Sequence, residues 1–153
     1  TVSPAGLAEN TPTGRDTTWS VAAEGRTDVC KRTAPQFVMD SCTITERVSN
    51  CNWATCYSDV HFIKTILASL AEAGIPFDTH RIHLAGVSNG GMLSDYLQLQ
   101  MPGTFASLTP WYGAYLLHYL DKGSQNSKLV NTSYFALHGA LDQTIPIRGG
   151  DSQ

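Results

Sequence analysis

The segment Gly86-Val87-Ser88-Asn89-Gly90 constrains this chain more than any other. A serine with glycine two residues before and two after it can sit on a tight turn, because no Cβ blocks the close approach of backbone to backbone. The flanks decide how the segment reads. Upstream, Arg81 to Val87 is a short β-favouring run, Arg-Ile-His-Leu-Ala-Gly-Val. Downstream, Met92, Leu93, Tyr96, Leu97 and Met101 recur at helical spacing until Pro102-Gly103 ends the pattern. A strand should therefore pass through Ser88 directly into a helix. The bare pattern arises by chance in roughly one chain of this length in ten to twenty. Its flanks lift it above that background, the competing reading being a glycine-rich strand–helix turn with an incidental serine.

The neighbouring segments fit the same architecture. Ser58 and Asp59 can open a helix, and Phe62, Ile63, Ile66, Leu67 and Leu70 follow at helical spacing up to Gly74. This predicts an amphipathic helix of about four turns, buried on one side. Phe105 to Tyr112 reads as a strand leading to Gly113, and Tyr134 to Leu137 as another running into His138-Gly139. Helices alternating with short apolar strands predict an α/β fold with a mostly parallel sheet flanked by helices. Residues 1–57 look different. Pro4, Gly6, Pro12, Gly14, Gly25 and Pro35 punctuate them, and no period is sustained, so they are expected to be irregular.

Composition bounds the possibilities. The 153 residues suffice for one domain, 42% are apolar, 15% are charged and the net charge is −3. Lysine and arginine form no run, so neither nucleic acid nor an anionic membrane surface finds electrostatic support as a partner. No apolar stretch approaches the ~20 residues of a bilayer span. Cys30, Cys42, Cys51 and Cys56 lack zinc-site spacing, and an even set in a polar, turn-rich stretch suits disulfides and an oxidising compartment. Proximity in sequence suggests Cys30–Cys42 and Cys51–Cys56, with four unpaired thiols as the alternative. Asn131-Thr132-Ser133 is a glycosylation sequon. The chain starts at Thr1 with no signal-peptide pattern, so it is expected to begin mid-protein.

Ser88 is the candidate nucleophile. A helix N-terminus behind it brings N–H groups and a positive dipole end to a developing oxyanion, the Asn89 N–H among them. In His138-Gly139-Ala140-Leu141-Asp142, a carboxylate follows a later strand, where a Ser…Asp…His order places the triad acid. Asp142 is the candidate for that role, against a loop aspartate making a turn. His138 precedes the acid and reads as a loop-ordering residue. Trp53, Trp111 and Tyr112 are candidate substrate contacts, against packing as the ordinary use of such residues.

Several segments together resemble the polyhydroxybutyrate depolymerase-like esterases, a group that includes feruloyl and acetylxylan esterases. They are Asp59-Val-His-Phe-Ile, His80-Arg-Ile-His-Leu-Ala-Gly-Val-Ser-Asn-Gly-Gly-Met, and Ala136-Leu-His-Gly-Ala-Leu-Asp with Ile145-Pro146 and Gly149-Gly150. Val2-Ser-Pro-Ala-Gly-Leu and the later Trp19 are similar to the family's opening strand-end segment. The resemblance covers most of residues 1–6 and 53–150, and the segment from 20 to 52 matches poorly.

By position, the resemblance gives Ser88 the nucleophile's role and Asp142 the acid's. It implies a partial α/β-hydrolase fold, truncated at both ends, forming a single incomplete catalytic domain over 1–153 with a cysteine-bearing insertion at 20–57. It implies extracellular hydrolysis of carboxylic esters of a polyester or a plant cell-wall polysaccharide, with no cofactor; composition and spacing separately argue against a metal, a nucleic acid or a membrane as partner. Two family parts have no counterpart: an early His-Gly oxyanion motif and a histidine after Asp142. The fragment alone is accordingly expected to be inactive. The alternatives are a non-catalytic binding module on a hydrolase scaffold, and an α/β-hydrolase with acyl-transfer or peptidase activity.

Overall fold

The computed structural model describes residues 1–11, 14–21, 55, 57–114 and 132–149. The chain separates into two compact units, Thr1–Asp59 and Val60–Gln153. Cys30, Cys42, Cys51, Cys56, Trp53, His118 and Asn131 lie outside the described residues, as does nearly all of the 20–57 segment.

The first unit contains a correction. Residues 7–18, expected to be irregular, form an antiparallel hairpin of β1 (Leu7–Thr11) and β2 (Gly14–Thr18), in register from Leu7↔Thr18 to Thr11↔Gly14. The strands read Leu-Ala-Glu-Asn-Thr and Gly-Arg-Asp-Thr-Thr, with little apolar alternation and several residue types depleted in sheets. Their backbone ladder, not a buried face, defines them. Gly6 lies hard against the end of β2, where a Cβ would fall 2.5 Å from the Thr18 carbonyl oxygen. The Asp59 carboxylate accepts the Ser20 N–H, and both residues are buried.

Helix α1 (Asp59–Glu72) is close to the sequence expectation. It ends in a Schellman arrangement: Ile75 N–H donates to Leu70 O, Gly74 N–H donates to Ala71 O, and Gly74 has φ +67°. Its apolar stripe is covered less than expected among the described residues. Ile63 is buried, Ile66, Leu67 and Leu70 are half-buried, and Phe62 is exposed.

The rest of the second unit is a parallel sheet with strand order β3 (His83–Val87), β4 (Ser107–Trp111), β5 (Ser133–Tyr134). His83 pairs with Ser107 and Val87 with Trp111, while Ser107 and Leu108 pair with Ser133 and Tyr134. Beyond β5 the ladder continues through Phe135 N–H to Leu108 O and Leu137 N–H to Pro110 O, with a bridge between Trp111 and Leu137. The strand expected at 134–137 is thus present as a short strand plus a bridge.

Helix α2 (Asn89–Gln100) joins β3 to β4 and packs on both. By register, Leu84, Gly86, Leu108, Pro110 and Tyr134 share the face beneath it. Leu93, Leu97 and Met101, one helical turn apart, are buried with Phe105 and Leu108, and Leu97 is fully enclosed. Burial of each such side chain contributes about 1.5–3 kcal/mol. On the other face His83, Ala85 and Val87 are exposed among the described residues. The result is an α/β arrangement, a parallel sheet with helix α2 packed on one face. No described helix is long and apolar enough to cross a membrane.

Candidate active site

Ser88 stands at the junction of β3 and α2 with φ +54° and ψ −121°, outside the regions a serine adopts without strain. Three contacts force it there. The Ser88 N–H extends the ladder to Trp111 O (2.7 Å), while its carbonyl already accepts the first helical bond, from Met92 N–H (3.0 Å). The chain must therefore leave a strand and enter a helix within one residue. Gly86 makes the crossing possible, since a Cβ on it would lie 2.1 Å from Gly90 O and 2.8 Å from Ser94 Oγ. Ser94 Oγ donates instead to Gly90 O at 2.9 Å, bracing the first turn of α2.

Two further glycines complete the turn, in a packing role that the sequence reading did not assign to either. A Cβ on Gly91 would approach Trp111 O to 3.1 Å, and one on Gly113 would come within 2.9 Å of the Gly91 carbonyl carbon. The loop after β4 thus lies directly on the helix start. Gly91, following Gly90 immediately, and Gly113, just past the strand end, were the available signals.

Ser88 is exposed, and its hydroxyl makes no hydrogen bond among the described residues. Asn89 is the first residue of α2, so its backbone N–H lies immediately after the serine at the positive end of the helix.

Asp142 is built into its own loop. Its Oδ1 accepts the N–H groups of both Thr144 and Ile145 at 2.9 Å, which fixes the carboxylate plane and leaves Oδ2 for a third partner. Oδ2 is 3.8 Å from His138 Nε2, but that nitrogen points to the Ile145 carbonyl oxygen at 2.6 Å. A carbonyl only accepts, so the proton is on Nε2 and His138 is a donor that pins residue 145 to residue 138.

Register places these groups at one end of the sheet. Val87, Trp111 and Leu137 form one row across β3, β4 and the bridge beyond β5. The next residues are Ser88, Tyr112 and His138, the outer two about 10 Å apart at ~4.8 Å per strand. Trp111 and Tyr112 are both exposed there. Tyr112 is strained too, with φ +53°, and its ring meets that of His138 edge-on at 6.3 Å and 66°. The other described histidines lie elsewhere. His61 is in α1 and His80 is exposed beside Asp78. His83 opens β3, about 16 Å of extended strand from Ser88, with its Nδ1 2.8 Å from Ser107 Oγ.

A second carboxylate, Asp95, is buried on α2 and accepts a hydrogen bond from Tyr134 Oη at 3.0 Å. Burial pushes its pKa up to about 6, partly offset by that bond. It lies on the side of α2 that faces the sheet and holds α2 to β5.

Residues 44–152, more than half of the chain, match the model of the phospholipase/carboxylesterase family. The chain belongs to this family of α/β-hydrolases. No curated protein and no solved structure matches it. The phospholipase/carboxylesterase match includes β3, the Ser88 turn, α2 and the Asp142 loop, so the whole of the geometry above falls within the family region. The family is one of carboxylesterase- and phospholipase-type hydrolases.

Proposed function

We propose that the protein is an extracellular serine esterase that cleaves carboxylic esters through an acyl-enzyme on Ser88. The observation that carries this is the strained serine between β3 and α2, held by the Trp111 and Met92 hydrogen bonds and permitted by Gly86 and Gly91. Such a turn lifts a hydroxyl out of the backbone and aims it at substrate. Ser88 Oγ attacks the ester carbonyl and its proton passes to a histidine. The tetrahedral oxyanion rests on the Asn89 N–H and the α2 dipole, and the alcohol departs with the proton. Water then releases the acid by the same steps. Asp142 presents Oδ2 to the Nδ1–H of that histidine and stabilises it once protonated. The histidine is not among the described residues, His138 being committed to Ile145.

The resemblance to polyhydroxybutyrate depolymerase-like, feruloyl and acetylxylan esterases supports a polyester or cell-wall ester as substrate. Trp111, exposed beside the Ser88 turn, is suited to stack on an aromatic acyl group or a sugar, and Trp53 is a second candidate contact. The cysteines and the sequon support the extracellular assignment.

Fluorophosphonate labelling followed by mass spectrometry, on the intact enzyme, should place the adduct on Ser88. Ser88→Ala should lower turnover of a short-chain p-nitrophenyl ester by several orders of magnitude, and Asp142→Asn somewhat less. Retained activity in Ser88→Ala sinks the mechanism. Polyhydroxybutyrate, methyl ferulate and acetylated xylan test the substrate class, and turnover of phospholipid alone would rule it out.

A further inference from the structure

Tyr112 is out of place on conformational grounds. A bulky residue at φ +53° is strained by roughly 1–2 kcal/mol where glycine is not. The turn itself has a purpose, since it swings Gly113 onto Gly91 behind the nucleophile. A glycine at 112 would make that turn more easily, so the tyrosine side chain needs its own account.

Its surroundings give one. The Tyr112 N–H donates to Leu137 O at 2.8 Å, anchoring the strand end from which the acid loop springs. Its ring lies edge-on to His138, within the range of favourable aromatic pairs. His138 in turn holds Ile145 O, and the Ile145 N–H holds Asp142 Oδ1. One continuous set of contacts thus runs Tyr112–His138–Ile145–Asp142. The carbonyl just before Tyr112, that of Trp111, holds the Ser88 N–H. The structure assigns Tyr112 as a positioning residue that fixes the acid loop relative to the nucleophile turn. The assignment rests on Asp142 being the triad acid, and it is distinct from contact with substrate.

The variants separate these roles in the intact enzyme. Tyr112→Gly relieves the backbone strain, so folding is not endangered, and it removes the ring. Its kcat should fall about 10–100-fold, the cost of a misplaced catalytic group, with KM within about twofold because the lost contact is not with substrate. A carboxylate less well aimed stabilises the protonated base less. The base pKa falls, and the acid limb of the kcat–pH profile moves to lower pH. Tyr112→Phe keeps the ring and should behave as wild type. In an Asp142→Asn background, Tyr112→Gly should cost nothing further, since both act through one group. A raised KM with unchanged kcat, an equal loss in the Asp142→Asn background, or no effect of Tyr112→Gly would each overturn the assignment and leave the triad reading standing. Full activity of Asp142→Asn alone would overturn the triad reading, and this assignment with it.

Discussion

Ser88 and Tyr112 are the two non-glycine residues with positive φ among the described residues, and they are adjacent across neighbouring strand ends. Backbone strain of this kind persists only where surrounding contacts over-determine it. At Ser88 those contacts are the Trp111 carbonyl, the Met92 N–H and the packing of Gly86 on Gly90. A stability comparison reads the strain directly. At an ordinary exposed position glycine is less stable than alanine, because the unfolded chain gains freedom. At Ser88 the order should reverse, with Ser88→Gly about 1 kcal/mol more stable than Ser88→Ala in denaturant titrations. Both variants should be inactive. If Ser88→Ala were the more stable of the two, the turn would not be strained in solution.

Helix α2 is held to the sheet by more than its apolar stripe. Tyr134 Oη donates to Asp95, and Gln98 Nε2 donates to Thr132 Oγ1, which itself donates to Phe105 O. The buried Asp95 makes one of these attachments sensitive to pH. Its pKa rises from 3.8 to about 6 on folding, so the folded state binds the proton more tightly than the unfolded one. Stability from this group is fully present below about pH 3.8 and is lost as pH rises through about 6, by roughly 3 kcal/mol in all. Asp95→Asn keeps an acceptor for Tyr134 and removes the charge. Its melting temperature should exceed wild type at pH 7.5, and the gap should close at pH 4. A pH-independent gap would show that the carboxylate is not desolvated. Asp95 was not legible in the sequence, where it is one polar residue in an amphipathic helix. The Ser88 turn, α2 and the parallel strands were legible, because Gly86, Gly90 and the apolar spacing encode them locally. The β1–β2 hairpin was not, because it rests on a backbone ladder between polar strands. Nor was the role of Tyr112, which depends on a ring 26 residues away in the chain.

For the whole molecule, the proposed disulfides would tie compartment to stability. All four cysteines fall within 27 consecutive residues. Ordering any segment costs conformational entropy of about 1–2 kcal/mol per residue. Cross-links act on the unfolded side of that balance. A Cys30–Cys42 and a Cys51–Cys56 bridge would each remove loop-closure entropy worth about 2–3 kcal/mol from the unfolded chain. The enzyme folded under oxidising conditions should therefore show no titratable thiol in denaturant. Non-reducing peptide mapping should recover the two short-range pairs. Dithiothreitol should lower the melting temperature by several degrees at least, since 1 kcal/mol corresponds to roughly 4 °C in a domain near this size. Four reactive thiols in the oxidised, folded enzyme would remove both the cross-links and the main support for an extracellular location. The Ser88 chemistry would stand untouched, because nothing in its geometry involves a cysteine. A cross-linked pair other than the two named would keep the compartment and correct only the connectivity.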